Sequence, residues 1–296
     1  MITGKKGICT AIHIVLSFLA LICIIPFLLL IISSFTEENA LINNGYSFFP
    51  ESWSLAAYRY LLSAGGKILR AYGITILVTA VGTACNVAMT VLLAYPLSRR
   101  WLKGRTVISF YLFFTMLFHG GLVPSYMMWT QVFHIKDTIL ALIVPNLMLN
   151  PFYVILMRTY FTTSIPEEIL EAARIDGAGE GRVLEKIVLP LSKPMLSTIS
   201  LLAGLMYWND WQNGLYYLVR KTDLYSIQNL LNRMISNAEF LNTQTNVSEL
   251  QAAGAAVPSV GIRMAVAVVA LVPILAVYPF FQRSFVKGIM IGGVKG

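Results

Sequence analysis

Side chains able to carry charge or bind polar groups are sparse in this chain and gather in two places. The first is residues 164–191, SIPEEILEAARIDGAGEGRVLEKIVLPL. It sets Glu167, Glu168, Glu171, Asp176, Glu180 and Glu185 against Arg174, Arg182 and Lys186. Such a mixed run lying between apolar segments suits docking at a membrane surface, and by pattern alone it equally fits an interfacial loop of two amphipathic helices. The second is the run Tyr207-Trp208-Asn209-Asp210-Trp211-Gln212-Asn213, with Asn146 and Asn150 upstream. Aromatic faces beside amide and carboxylate groups suit sugars, which present C–H faces and hydroxyl edges. The same residues also suit interhelical hydrogen bonding and an interfacial aromatic belt.

Other chemistries lack their residues. His13, His119 and His134 are scattered, and Cys9, Cys23 and Cys85 show neither ligand spacing nor a disulfide framework. No His/Glu or Ser/His pairing suggests a membrane-embedded enzyme. Gly65-Gly66-Lys67 is followed by Ile68 and lacks the preceding glycine of a phosphate-binding loop, so ATP hydrolysis is not expected here. No basic and aromatic cluster suits nucleic acid, despite a net charge of +8.

The elements that hold these residues are apolar helices. Hydrophobic residues make up 57% of the chain and charged residues 12%, against roughly 45–50% and ~25% in soluble domains. The fold class expected is all-α integral membrane, a single domain over 1–296. Spans fall at roughly 10–35, 70–97, 106–128, 138–160, 193–218 and 261–281. The first exceeds a signal peptide's ~7–15-residue apolar core and no A-x-A site follows it. Gly120-Gly121 and Pro124 break the outer end of the third. On the fourth, Asn146, Asn150 and Tyr153 are expected on one helical face, with Asn150 about 18 Å below its outer end. Asp210 is costly in the fifth unless it faces protein or water.

Within 164–191, Ser164 with Glu167 fits a capping box, and Pro166 suits a first helical turn. Ile165, Ile169, Ala172 and Ala173 share one face. Gly177 stops this helix, and a second follows with Val183, Leu184, Ile187 and Val188 on its apolar side. In the 219–259 loop, Leu224, Ile227, Leu230, Leu231, Met234 and Ile235 recur at helical spacing, which suits a partner-facing helix and self-packing alike. Asn246-Val247-Ser248 matches a glycosylation sequon.

Charge sets the orientation. Arg99, Arg100, Lys103 and Arg105 follow the second span without acids, Lys5 and Lys6 precede the first, and Arg283, Lys287 and Lys295 lie in the tail. The positive-inside rule places both termini and the loops 98–105 and 161–192 in the cytoplasm, and 219–259 outside.

Glu171-Ala172-Ala173, Asp176-Gly177-Ala178, Ile187 and Leu189-Pro190-Leu191 resemble the "EAA" signature of ABC-importer permeases. Leu184 stands where many members have Phe, and Gly179 and Gly181 are further departures. Ala94-Tyr95-Pro96-Leu97-Ser98-Arg99, Trp208-Asn209-Asp210, and the tail from Tyr278-Pro279-Phe280 to Gly296 are similar to the maltose-type second permease subunit of carbohydrate importers. Gly120-Gly121-Leu122-Val123-Pro124-Ser125-Tyr126 looks like the complex-oligosaccharide and aldouronate branch.

The resemblance implies the type I importer architecture. A homologous permease subunit, two ATPase subunits, an extracellular sugar-binding lipoprotein and an oligosaccharide substrate would be its partners. ATP and Mg would sit on the ATPase, with no cofactor in this chain. A cytoplasmic coupling helix would dock on the ATPase through Glu171, Ala172, Ala173, Asp176, Gly177, Ala178, Leu189 and Pro190. The expected translocation-path residues are Asn146, Asn150, Trp208, Asn209, Asp210 and Asn213. The alternatives are a stand-alone ion-coupled secondary transporter, disfavoured by the lack of an inverted repeat, and an ABC permease for a non-sugar solute.

Overall fold

The structure is a computed structural model describing residues 3–63, 65–244, 260–273 and 275–276. Among them helices dominate and no strand occurs; one isolated bridge joins Thr36 and Trp53. The helices are α1 (Thr3–Ser34), α2 (Glu38–Asn44), α3 (Ala56–Ser63), α4 (Gly65–Ser98), α5 (Arg105–Leu117) and α6 (Leu122–Met127), which continues as a π-helical turn to Val132. They continue with α7 (Leu140–Ile143), α8 (Pro151–Thr163), α9 (Glu167–Ile175), α10 (Glu180–Val183), a π-helical turn Leu184–Val188, α11 (Leu189–Leu191), α12 (Lys193–Trp208) and α13 (Gln212–Tyr217). The last are α14 (Ile227–Gln244) and α15 (Val260–Pro273). The sequon at 246–248, the whole tail from Tyr278 and the end of the sixth expected span lie outside the described residues.

The chain divides into two compact units, Met1–Ile68 with Leu231–Ile274, and Leu69–Leu230 with Leu275–Gly296. In the first, the apolar side chains of α1, among them Ile14, Phe18 and Leu21, are exposed, as suits a helix solvated by lipid or by a partner. The Glu38 carboxylate accepts the backbone N–H groups of Val260 (2.9 Å) and Gly261 (2.8 Å), so an acid satisfies the orphan donors that open α15.

The second unit holds the core that positions the polar residues. Val91, Ala94, Tyr95 and Leu97 of α4 pack with Leu112 of α5, Tyr153, Val154, Met157 and Phe161 of α8, Leu170 of α9, Val183, Val188, and Met195, Ile199 and Ala203 of α12. Gly82 admits the Tyr207 ring, on which any added Cβ would fall.

Ile12–Ser34 and α4 are each long and apolar enough to cross a membrane unaided. Two bent pairs raise the number to four if each is one span: α5 with Leu122–Val132, bent by 113°, and Glu180–Leu191 with α12, bent by 82°. The first bend falls where Gly120-Gly121 was expected to break the third span, with Gly121 at φ +87°.

The segment 138–160 departs from a continuous helix. α7 ends at Ile143 and α8 begins at Pro151. Pro151 forces the preceding Asn150 out of helical conformation, to φ −110° and ψ 113°. Asn146 adopts φ +61°. Asn146, Asn150 and Tyr153 therefore do not share a helical face. The segment 193–218 is broken too, since α12 ends at Trp208 and α13 begins at Gln212.

Candidate functional site: the 164–191 element and two facing helix breaks

The 164–191 element is helix–Gly–helix, as its sequence indicates, but its start is built differently. Ser164 closes α8, its N–H bonded to the Tyr160 carbonyl at 2.9 Å. Pro166 takes the N-cap position, with extended ψ of 134° and no side-chain cap. Glu167 thus becomes the first helical residue rather than the third, and the capping box does not form. α9 ends at Ile175, and Gly177 turns the chain at φ +81°. The Ala178 N–H then reaches the Ala173 carbonyl at 2.9 Å, closing orphan carbonyls of the last turn.

The apolar face also differs from expectation. Ile165 and Leu170 are buried and Ala173 is half-buried against the core, whereas Ile169 and Ala172 are exposed. Ile175 is 85% exposed. α9 therefore has two apolar faces, one against its own chain and one turned outward. Val183 and Val188 are buried and Leu184 and Ile187 pack beside them, as expected.

Glu167, rather than capping, joins an ionic cluster that the sequence did not reveal. Its centre is Arg99, 1% exposed at the C-terminal end of α4, where a cation meets the negative end of the helix dipole. The Arg99 guanidinium lies 5.1 Å from the Tyr95 ring centroid. Its Nε donates to Ser98 Oγ (2.9 Å), its Nη2 to the Phe161 carbonyl (3.3 Å), and its Nη1 stands 3.6 Å from Glu167.

Arg174 on α9 is 3.6 Å from Glu167 and donates through Nε to Glu180 at 2.9 Å. The Tyr95 hydroxyl donates to the other Glu180 oxygen. Burial pushes the Glu180 carboxyl up, but the hydrogen bonds from Tyr95 and Arg174 outweigh it and hold the group below its ordinary value. Arg174 is raised, chiefly by its bond to Glu180. The cluster bridges both sides of Gly177 and fastens them to the end of α4.

The second site is where the breaks at 144–150 and 209–211 meet. Irregular backbone at membrane depth survives only where its polar groups are buried in protein and satisfied, or line a cavity. Three carbonyls around the first break each have a side-chain donor: Tyr207 Oη to Ile143 (2.9 Å), Asn213 Nδ2 to Pro145 (3.0 Å) and Asn86 Nδ2 to Leu147 (2.7 Å). Asn213 is buried in this role. Asp210 accepts the Asn213 N–H at 3.2 Å and so supports the first turn of α13. Asn150 caps α8 through the Phe152 N–H at 2.9 Å, and its Nδ2 lies 3.8 Å from Met206 Sδ.

Asn146 and Asn209 keep exposed side chains, and the Asn213–Pro145 bond brings their two breaks together. Trp208 is half-buried near Tyr72, with 6.5 Å between ring centroids. Asn86 is the residue that reasoning from sequence missed, and Tyr207 and Arg99, singled out there as part of a polar run and as an orientation charge, take different roles, as donor to a freed carbonyl and as centre of an ionic cluster. Pro145 and Pro151 were the available signal for the first break.

A family model described as the binding-protein-dependent transport system inner membrane component matches residues 12–291, and the chain belongs to that family. It is a membrane transport component rather than an enzyme. It is 39% identical to Protein LplC of Bacillus subtilis (strain 168) over 93% of this chain and 90% of LplC. It is 38% identical to the polygalacturonan/rhamnogalacturonan transport system permease protein YtcP of the same organism, covering 94% of each. Among solved structures, it is similar to a chain of a bacterial ABC transporter involved in the import of the acidic polysaccharide alginate. That match has 27% identity and a TM-score of 0.76, over 95% of this chain and 98% of that one. The fold is that of a type I ABC permease.

Proposed function

We propose that this chain is the permease subunit of an ATP-driven oligosaccharide importer in a bacterial cytoplasmic membrane. It forms one transmembrane domain over 1–296, with six spans, cytoplasmic termini and an extracellular 219–259 loop. The reading rests above all on α9, which presents Ile169, Ala172 and Ile175 outward while Arg174 and Glu167 tie it to buried Arg99 at the end of α4. An exposed apolar face on a rigidly anchored helix is what docking into an ATPase cleft requires. A homologous permease, two ATPase subunits and an extracellular sugar-binding lipoprotein complete the machine, with ATP and Mg on the ATPases. Within 164–191, Ala172, Glu171 and Asp176 serve the outward face, Ala173 and Ala178 pack inward, and Gly177, Leu189 and Pro190 shape the turn and the return to α12.

Sugar passes the facing breaks. Asn146, Asn150, Trp208, Asn209 and Asp210 lie on or beside the irregular backbone, and Asn213 holds the two breaks together. Discontinuous helices are a recurring way to present polar groups at the midplane. ATP binding shifts the equilibrium between outward- and inward-open states through the differential affinity of the ATPase for α9 in each.

The test is a mild-detergent pull-down of the tagged chain from native membranes, read by mass spectrometry. A second permease and an ATPase are the expected companions, and Ala172→Arg loses the ATPase alone. Recovery of the chain by itself, under conditions that keep known complexes intact, refutes the proposal. Binding assays on the co-purified binding protein decide between an oligosaccharide and another solute.

A further inference from the structure

A cavity of about 570 Å³ lies within the second unit, lined by Ser98, Arg100, Arg105, Arg158, Thr162, Ile165, Glu167, Glu168 and Glu171. Its volume is within the ~300–1,000 Å³ typical of small-molecule sites. Its charges are sorted: three arginines come from the end of α4, the start of α5 and α8, and three glutamates from α9. Glu167 is committed to Arg99 and Arg174. Arg158 donates to the Leu97 carbonyl (3.1 Å) and to Ser109 Oγ (3.1 Å), which fixes its guanidinium in place. Among the described residues, no ion pair joins Arg100 or Arg105 to an acid, or Glu168 or Glu171 to a base. Opposite charges thus face each other across open space without meeting.

The cavity also sits where an apolar helix begins. Arg105 is the first residue of α5, whose Val107, Ile108, Phe110 and Tyr111 are exposed, and Trp101 beside it is exposed as well. A tryptophan and arginines at the start of a lipid-grade helix mark the headgroup level of a bilayer. Basic pockets between helices at that level take phosphate headgroups. A purely anionic headgroup would leave Glu168 unanswered and repelled.

From these observations we propose that the cavity binds the zwitterionic headgroup of an aminophospholipid. The phosphate is held by Arg100 and Arg105, and the primary ammonium by Glu168. The lipid thereby bridges the α4–α5 connection to the coupling element. The inference rests on the membrane reading above but not on the identity of the transported solute.

The intact complex is reconstituted in nanodiscs of phosphatidylglycerol doped with phosphatidylethanolamine or phosphatidylcholine, and lipid retained after re-extraction is counted by native mass spectrometry. Phosphatidylethanolamine is expected to be retained about tenfold over phosphatidylcholine, whose quaternary ammonium cannot donate hydrogen bonds. Arg100→Gln/Arg105→Gln abolishes retention of both. Glu168→Gln abolishes only the preference between them. Soluble phosphoethanolamine, lacking acyl chains, does not displace the lipid at millimolar concentration. Stronger retention of phosphatidylglycerol than of phosphatidylethanolamine, displacement by the soluble headgroup, or retention unchanged in the arginine variant would overturn the assignment. ATPase recovery in the same preparations shows whether the importer reading itself holds.

Discussion

Arg99 and Arg100 are neighbours in sequence and opposites in structure, and the contrast can be tested. Replacing Arg99 by Met keeps most of the volume and removes the guanidinium. The Phe161 carbonyl loses its donor, a cost of about 1–3 kcal/mol in a buried setting. The stacking on Tyr95 adds ~0.5–2 kcal/mol. Glu167 is 46% exposed and keeps Arg174, so its lost partner adds at most ~1 kcal/mol. Relief from burying a cation offsets part of this. The net is roughly 2–4 kcal/mol, which at ~2–4 °C per kcal/mol corresponds to a Tm lowered by about 4–16 °C. The assay is thermal unfolding of the purified complex in detergent after removal of bound phospholipid, with Arg100→Met as the control. Arg100 is exposed and without an ion pair among the described residues, so its Tm should move by less than about 1 °C. Equal shifts for the two variants, or none for Arg99→Met, would refute the reasoning and return Arg99 to the role of an orientation charge.

Other outcomes follow from the same geometry. Gly177→Val should cost about 1–2 kcal/mol and reduce uptake at equal expression, because φ is +81° there while the space around a Cβ is open; Gly177→Asn should be much milder. Ala172→Arg should leave Tm unchanged and lose ATPase binding, whereas Ala173→Arg should lower Tm because that side chain packs against the core. Tyr207→Phe leaves the Ile143 carbonyl without its donor and should destabilise by ~1–3 kcal/mol, read by denaturation of the same complex.

Glu180→Gln carries a pH dependence. The folded-state pKa of Glu180 is depressed, so its stabilisation is present above the unfolded value of ~4.3 and fades as pH falls through the lower folded value. The stability gap between wild type and variant should therefore be constant near neutrality and close only below about pH 4.

The pattern of apolar runs was sufficient for the membrane class, because a ~20-residue apolar stretch has few other solutions. The helix–Gly–helix element was equally legible, since Gly177 and the spacing of Val183 and Val188 act locally. Polar residues inside long apolar segments were not assignable in the same way. Asn146 and Asn150 were expected on one helical face, but Pro151 extends the backbone at Asn150, and the freed carbonyls are tolerable only because Tyr207, Asn213 and Asn86 arrive from elsewhere in the chain. Such compensation separates residues by 60 or more positions and leaves no periodic trace. Ser164 with Glu167 matched a capping box, yet the end of α8 and Pro166 claimed those positions first. Composition and local spacing thus determined the membrane class and the helix–Gly–helix element. Which cation is buried, which face of α9 turns outward and which donors satisfy the carbonyls freed at 143–147 were decided by tertiary structure, because each depends on a desolvated polar group finding its partner in three dimensions.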